Sequence, residues 1–377
     1  MLGNKKFFAL FIVIFIGSCQ SPPPTTKPVA TKSTSPSFLE DLAKQYKQPI
    51  KNWPAFEVDE GVDAQELAPL STLDRTFADK STIKLGKQLF FDPRLSSSKQ
   101  IACASCHDPE LGWSDGKRTS FGHNRLRGTR NALSILNSRY FTHHFWDGRA
   151  KGLRDQATQP VENPIEMHET LESMIATLKK INGYQQQFEM IYPLENITKE
   201  TVADAITSFE ETIISKESNF DKFMQGNYKK LTNQEIHGLH LFRTKARCMN
   251  CHHGALLSDN KFHNIGLSYF GRKYEDLGRY NHTANKEDMG KFRTPSLIDV
   301  AFTAPYMHNG LFSSLKGIVN MYNKGMTIRK KLKQGEPAIS PLIKPLKMTK
   351  VEKKALLAFL ISASRRPYKM REPELPE

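Results

Sequence analysis

Apolar residues recur at helical spacing in several stretches of this chain, whereas the alternating pattern of strands is scarce. Before the first cysteine pair, residues 82–91 have a helical apolar pattern that Asp92 and Pro93 end. Before the second pair, residues 232–244 begin with a Thr-x-x-Glu capping box. Further amphipathic helices are predicted at 171–181, 199–215 and 348–364. The pattern predicts a mainly α fold with long loops and little β structure.

A short apolar run occupies residues 7–16, directly after Lys5 and Lys6. It is too short to span a bilayer, which needs about 20 residues. Basic residues, a short apolar run and small residues before Cys19 form the pattern of a bacterial lipoprotein signal. We therefore predict a signal peptide at 1–18, after which Cys19 carries the lipid anchor as the only membrane attachment.

Proline, serine and threonine dominate residues 19–40, which lack apolar periodicity. This composition predicts a disordered tether between the lipid and the folded body. An exported lipoprotein of this kind faces the periplasm. Gln20, the residue after the acylated cysteine, favours the outer over the inner membrane.

The chain has 377 residues, enough for two domains, and a formal net charge of +15. Its Lys and Arg residues are dispersed and form no nucleic-acid recognition motif, so no nucleic-acid partner is expected. The basic surface either steers an acidic redox partner or is simply well solvated. Aromatic residues reach 10%, which suits a protein that wraps large apolar groups.

Each of the five cysteines has a candidate role, and none is left for a disulfide. Apart from Cys19, they form two CxxCH motifs, Cys103-Cys106-His107 and Cys248-Cys251-His252. The two thiols of such a motif can bond to the vinyl groups of one haem, while the next histidine becomes the proximal iron ligand. A zinc site would need further Cys or His partners at set spacing, and no cysteine remains.

Two such motifs, one domain length apart, predict two cytochrome c-like domains. We assign residues 41–225 to the first and 226–377 to the second, each with one covalently bound haem c, and allow the last segment to pack back on the first domain.

Between about residues 80 and 365 the chain resembles the bacterial di-haem cytochrome c peroxidases, a superfamily that includes MauG. The motifs that carry the resemblance, in the family's order, are CASCHDP, GHNRLRGTRN, FWDGRA, NPIEM, CHHG, FRTPSL and TAPYMHNG. The resemblance implies a peroxidatic first domain and an electron-transfer second domain.

The resemblance also implies roles for single residues. Gln156 and Glu166 match the distal glutamine and glutamate of the peroxidatic haem, where a carboxylate can move a proton and an amide can orient peroxide. Trp146 matches the tryptophan between the two haems. His123 matches a removable distal ligand of the first iron, although a loop histidine without a ligand role is the alternative.

A calcium ion between the domains is usual in such enzymes. It is held by one asparagine side chain and two backbone carbonyls, which match Asn131, Thr303 and Pro305. Oxygen ligands suit calcium. A homodimer is also usual.

The sixth ligand of the second haem departs from the typical peroxidases. The family's interval after His308 falls on Tyr322, where those enzymes carry methionine and MauG carries tyrosine. Met321 is adjacent, but neighbours on a helix point about 100° apart, so the two cannot both face the iron. We favour Tyr322, and a shift of one residue would select Met321. Methionine raises the haem potential, whereas a phenolate favours oxidised iron.

Three functions are compatible with these residues. The first is a peroxidase that reduces hydrogen peroxide to water with electrons from a small redox protein, a cytochrome c or a cupredoxin. The second is a MauG-like enzyme that uses peroxide to oxidise a protein, which Tyr322 favours and His123 disfavours. The third is a non-catalytic electron carrier, in which Gln156 and Glu166 would have no purpose.

Overall fold

The computed structural model describes residues 35–326 and 334–377. The predicted signal peptide, the acylated Cys19 and all but the end of the predicted tether lie outside these residues. Within the described ranges, no helix is both long enough and apolar enough to cross a membrane.

Helices dominate the described part of the chain, and the strands form only two short antiparallel ribbons, β1–β2 and β3–β4. The prediction of a mainly α fold with little β structure is confirmed. The helices are α1 Pro36–Tyr46, α2 Lys80–Phe91, α3 Leu153–Gln156, α4 Gln159–Glu162, α5 Leu171–Leu178, α6 Asn182–Ile191, α7 Lys199–Glu210, α8 Asn219–Met224, α9 Asn233–Arg243, α10 Tyr280–Thr283, α11 Leu315–Asn323 and α12 Lys350–Ser362. The strands are β1 His143–His144, β2 Ala150–Lys151, β3 Phe262–His263 and β4 Phe292–Arg293.

The predicted helices are present, and several end earlier than predicted. The region 199–215 is helical only to Glu210, because the backbone beyond it bonds to a loop instead. The Ser215 amide donates to Asn137 Oδ1 at 2.9 Å, and the Asn137 amide donates to the Ile213 carbonyl at 2.9 Å. The capping box is formed as predicted, with the Thr232 amide donating to Glu235 Oε2 at 2.7 Å.

The end of the predicted tether is helical rather than disordered. Ser35 caps α1 by accepting a hydrogen bond from the Phe38 amide at 3.2 Å. Pro36 occupies the first helical turn, where its missing N–H costs nothing. The folded body therefore begins within residues 19–40 rather than after them.

The same pair of crossed helices occurs in both halves of the chain. Helix α2, before the first CxxCH motif, packs on α7, and α9, before the second, packs on α12. Each crossing has a glycine on the earlier helix. A Cβ at Gly86 would overlap the Ala205 carbonyl, and one at Gly238 would overlap the Ala355 carbonyl. The backbones approach so closely that only glycine fits.

Two hydrophobic cores follow these crossings, and they divide the chain differently from a cut at residue 225. The first core is built from side chains between residues 85 and 213. The second takes its side chains from between residues 220 and 363, and also from residues 42–70, which were predicted to belong to the first domain. Arg243 of α9 secures this early segment by an ion pair with Glu66 and a 2.9 Å hydrogen bond to the Tyr46 hydroxyl.

The C-terminal tail lies against the first core after α12 has packed in the second. The Gly183 amide donates to the Glu377 carbonyl at 2.8 Å, and Gln88 Nε2 donates to the Glu374 carbonyl at 2.8 Å. Arg94 Nη2 donates to the Pro376 carbonyl at 2.9 Å. The chain thus begins on the second core and ends on the first.

Candidate functional site

A single cavity of about 730 Å³ lies between the two cores, and both CxxCH motifs line it. Residues of β1, β3 and β4 in the short ribbons line it. Strand β1 pairs with β2 (His144 opposite Ala150), and β3 pairs with β4 (Phe262 opposite Arg293). The predicted site residues that line this cavity are Cys103, Cys106, His107, Asn131, Trp146, Gln156, Glu166, Cys248, Cys251, His252, Thr303, Pro305 and Tyr322.

The two motifs have the same local geometry. In each, the histidine amide donates to the carbonyl of the first cysteine, at 3.0 Å for His107 and 2.8 Å for His252. Their Nδ1 atoms lie 3.2 Å from the Trp113 carbonyl and 2.7 Å from the Leu257 carbonyl. A carbonyl only accepts, so Nδ1 carries the proton and Nε2 is left with its lone pair. This is the arrangement of a metal-ligating histidine.

The cysteine side chains suit covalent attachment to a haem. All four are free thiols. Burial raises the pKa of Cys106 to about 11 and that of Cys248 to about 12. They therefore stay protonated at neutral pH. A haem thioether forms from a thiol and a vinyl group.

One cluster near the second motif could hold a metal ion instead. Ligand atoms of Cys251, Asp259 and His263 lie within 4.8 Å of one another. Asp259 Oδ2 is already 2.7 Å from His263 Nε2, however, and burial raises the pKa of the Cys251 thiol to about 12. The carboxylate and the imidazole are thus hydrogen-bonded to each other, and Cys251 belongs to the second CxxCH motif.

Arg293 provides an independent test of whether an anionic cofactor fits the cavity. Its side chain is 7% exposed, and its Nε and Nη1 have no hydrogen-bond partner in the described part of the chain. Burial lowers its pKa to about 10, so it remains charged at neutral pH. The face of its guanidinium lies 4.3 Å from the Phe141 ring. A buried cation with free donors requires an anion, and a haem propionate would supply one.

Glu166 and Gln156 reach the cavity from neighbouring short elements. Gln156 ends α3, and Glu166 follows α4 in the loop of the NPIEM motif. Asn163 Nδ2 donates to Glu166 Oε1 at 2.9 Å, which leaves Oε2 for other partners. Burial raises the pKa of Glu166, despite the opposing charge of Arg149. The carboxyl also raises the pKa of the Cys103 and Cys106 thiols, so it lies at the first-motif end of the cavity.

Trp146 is buried in the cavity wall and is held at two points. Its indole Nε1 donates to the Asn131 carbonyl at 2.9 Å, and its carbonyl accepts from the Arg293 amide at 2.8 Å. Its ring lies edge-on to His308, with centroids 6.3 Å apart. His308 in turn stacks on Phe292 at 3.6 Å. All three rings line the cavity.

Tyr322, rather than Met321, lies on the cavity wall. Helix α11 places Tyr322 there together with Leu315, Ile318 and Val319, whereas Met321 is not among the lining residues. Burial raises the pKa of the Tyr322 hydroxyl, and the Cys251 and Cys248 thiols raise it further. The phenol is therefore close to the second motif.

His123 does not line the cavity with the other predicted residues. Its Nδ1 lies 3.2 Å from the Ser97 hydroxyl, and its ring lies 4.4 Å from that of His168. Its amide donates to the Glu166 carbonyl at 2.8 Å, which ties the loop to the NPIEM segment. In this arrangement the ring lies against Ser97 and His168, and contact with a cofactor in the cavity would require the loop to move.

The predicted calcium residues also meet at the cavity. Asn131 lies beside His308, whose carbonyl accepts from the Asn131 amide at 2.7 Å. Asn131 Nδ2 donates to the Lys117 carbonyl at 2.8 Å, which leaves Oδ1 available as an oxygen ligand. Thr303 and Pro305 line the same cavity.

Comparison with known proteins agrees with this geometry. The family model described as di-haem cytochrome c peroxidase matches residues 80–229. The chain is 35% identical over 324 residues to the cytochrome-c peroxidase IdrP1 of Pseudomonas sp. strain SCT, covering 78% of this chain and 84% of that protein. It is 35% identical over 297 residues to the methylamine utilization protein MauG of Methylorubrum extorquens, covering 78% of this chain and 81% of that protein. The chain belongs to the di-haem cytochrome c peroxidase family.

A solved structure extends the likeness to the fold. A MauG-like protein associated with microbial copper homeostasis is 29% identical and superposes with a TM-score of 0.69, covering 81% of this chain and 94% of that one. Members of the di-haem peroxidase family are oxidoreductases, and this chain is an enzyme of that class.

Sequence reasoning missed two residues of this family member's cavity, Arg293 and Glu210. Arg293 lies within the FRTPSL motif, but the sequence alone predicted no role for its side chain. Glu210 lines the cavity from the end of α7 and is 4% exposed. It occupies the apolar stripe of that helix, after Ala203 and Ile206, and a charge in such a stripe was the available signal.

Proposed function

We propose that this protein reduces hydrogen peroxide to water with electrons from a small redox protein, a cytochrome c or a cupredoxin. The observation that supports the proposal is the shared cavity, which both CxxCH motifs and Trp146 line and in which the Glu166 carboxyl acts on the thiols of the first motif. A carrier without catalysis would have no use for a buried carboxyl there.

Two haems would be held by equivalent residues. Cys103 and Cys106 would carry the first haem above His107, and Cys248, Cys251 and His252 would hold the second. The iron supplies the one-electron chemistry that no side chain of the chain provides. Arg293 would neutralise propionate charge, and Tyr322 would be the second haem's sixth ligand.

Glu166 would handle protons. Reduction of one peroxide molecule to two waters consumes two electrons and two protons, and the protons must reach the oxygens as the O–O bond breaks. A carboxyl whose pKa burial has raised can take a proton from one oxygen and return it to the other. The hydrogen bond from Asn163 to Oε1 would hold the carboxyl in one orientation and leave Oε2 to exchange the proton.

Gln156 and Trp146 would have orienting and bridging roles. The Gln156 amide can donate to peroxide and hold it in one orientation. Trp146, hydrogen-bonded at both its indole and its backbone, gives a rigid aromatic bridge for electrons between the two ends of the cavity.

Replacing Glu166 tests the proposal. We expect Glu166→Gln to lower kcat for peroxide-dependent oxidation of reduced cytochrome c by about 10²- to 10⁴-fold, because the amide cannot move a proton. Haem content and spectrum should be retained. Glu162→Gln, which removes an exposed carboxyl on neighbouring α4, is the matched control and should leave kcat unchanged. A Glu166→Gln enzyme with wild-type turnover would contradict the assigned role.

Tyr322 favours a second candidate function, a MauG-like enzyme that uses peroxide to oxidise a protein substrate. A phenolate ligand would make the second haem a weaker acceptor of electrons from cytochrome c. The two functions share the peroxide chemistry at the first motif and differ in the protein that supplies electrons.

The remaining expectations complete the proposal. Cys19 would anchor the chain by lipid on the periplasmic side of a bacterial membrane, with the outer membrane preferred, and the protein would act as a homodimer. Asn131, Thr303 and Pro305 would bind one calcium ion, supported by the free Asn131 Oδ1. His123 would reach the first iron only after its loop leaves Ser97 and His168.

A further inference from the structure

Glu210 is a buried acid that the proposed peroxide chemistry does not use. It lines the cavity at the end of α7 and is 4% exposed, and its Oε2 has no hydrogen-bond partner among the described residues. Of the charged groups that act on the buried Cys103 thiol, the Glu210 carboxyl has the largest effect. The acid therefore lies against the first haem attachment site.

The surroundings of Glu210 leave its charge uncompensated. Helix α2 packs on α7 through apolar residues of the first core, and its Lys84 is exposed. From α3, Arg154 pairs with Asp204 instead, at 3.0 Å on the exposed side of α7. The other titratable or charged groups at this end of the cavity are the thiols and His107 of the first motif, the Glu166 carboxyl with Arg149 beside it, and Asp115 and Lys117 near Cys106. None of them shifts the pKa of Glu210, which only burial raises.

We propose that Glu210 is a redox-linked proton site: it takes up one proton when the haem carried by Cys103 and Cys106 gains one electron, and releases it when that electron leaves. The inference rests on the haem attachment of the proposed function but not on peroxidase turnover. In the test below, the electron comes from a chemical reductant and the proton from the solvent, so charge and atoms balance.

The physical reason is electrostatic coupling in a medium of low dielectric. Each electron added to the haem makes its site more negative, and a nearby buried carboxylate without a cation is destabilised. Protonation removes that repulsion. Burial alone raises the pKa of Glu210 to about 8, which puts its titration within reach of a modest change in nearby charge.

A potentiometric titration of the holoprotein at a series of pH values tests the inference. For wild type, the equilibrium constant for reduction of the first haem should fall tenfold per pH unit, or about 59 mV, across the window where Glu210 titrates. In Glu210→Gln the potential should be flat there and stay at the wild type's acid-side value, because glutamine is neutral. Glu211→Gln, the adjacent acid, is the matched control and should keep the wild-type slope.

An unchanged slope in Glu210→Gln would overturn the inference, as would a slope lost equally in Glu211→Gln. Haem-to-protein ratios for every variant show whether the cofactor is present, so a failure of haem attachment is recognised separately. If the variant does not fold, wild-type protein labelled with ¹³C-glutamate decides the question. Its reduced-minus-oxidised infrared spectrum should contain a protonated carboxyl band, and absence of that band contradicts the proposal.

Discussion

Each motif histidine holds one ring nitrogen in a hydrogen bond to a loop carbonyl, His107 to Trp113 and His252 to Leu257. The loop that follows each motif therefore sets the tautomer and the direction of the ring. The nearby charges complement an anionic cofactor, since Arg293 has free donors in the cavity wall. The two histidines and Arg293 thus give the cavity the iron ligands and the positive charge that haems require.

The first prediction at the residue scale concerns Tyr322 and the potential of the second haem. We expect Tyr322→Met to raise the potential of the second haem by on the order of 100 mV, because a soft thioether favours reduced iron. Turnover with reduced cytochrome c should rise accordingly. Met321→Leu, one residue away and off the cavity wall, should change neither quantity. An unchanged spectrum and potential in Tyr322→Met would show that the phenol is not a ligand.

A second prediction at the residue scale concerns Asp299 and the dependence of stability on pH. Burial raises its pKa from 3.8 to about 6, and Asp221 adds to the shift. Between these values the folded protein keeps a proton that the unfolded chain releases, so the contribution of Asp299 to stability is present at acid pH and is lost as pH rises through about 6. The loss should approach about 3 kcal/mol, since one pKa unit corresponds to about 1.4 kcal/mol.

Asp299→Asn should remove this dependence. Its backbone has a positive φ of 59°, which asparagine tolerates, and an amide oxygen can still accept from the Arg365 amide. Denaturant unfolding of wild type and variant on either side of pH 6 gives the comparison. Parallel stability curves for the two proteins would show that Asp299 does not titrate in this range.

At the scale of elements, the two glycine crossings explain how each CxxCH loop is positioned. Gly86 lets α2 meet α7, and Gly238 lets α9 meet α12, with Phe209 and Phe359 beside the respective contacts. The helix that precedes each motif is thus held by direct backbone contact with the helix that it crosses.

We expect Gly238→Ala to destabilise the protein by about 1–3 kcal/mol, because the added methyl group meets the Ala355 backbone, which cannot rotate away. The midpoint of denaturant unfolding measures the change. Gly128→Ala is the control, since its nearest atoms would lie 3.9 Å away and its φ is not positive. Equal stabilities of Gly238→Ala and wild type would mean that the helices separate without cost.

Much of this level could be predicted from sequence, because it depends on local signals. The capping box at Thr232 begins α9 as the pattern indicated, and a second one at Thr349 begins α12. Helix ends were less predictable. Helix α7 stops at Glu210 because Ser215 and Asn137 bond across a distance of 78 residues, and no local pattern contains that contact.

At the scale of the whole molecule, each end of the described chain packs on the core that the opposite half of the chain forms. Residues 42–70 complete the second core, and the tail after α12 hydrogen-bonds to the first. Domain boundaries drawn along the chain cannot represent this, because burial depends on which surfaces meet. Most of the predicted site residues line one cavity, whereas His123 lies beside Ser97 and is not among the lining residues, a placement that no sequence motif encodes.

We propose that one cavity with two haems passes electrons from a small redox protein to hydrogen peroxide. The direct test is peroxide-dependent oxidation of reduced cytochrome c by the calcium-loaded holoprotein, with and without prior half-reduction. The account predicts catalytic turnover with two molecules of cytochrome c oxidised per peroxide consumed, and a requirement for half-reduction would implicate movement of the His123 loop. Negligible oxidation of cytochrome c by a protein that carries both haems would contradict it.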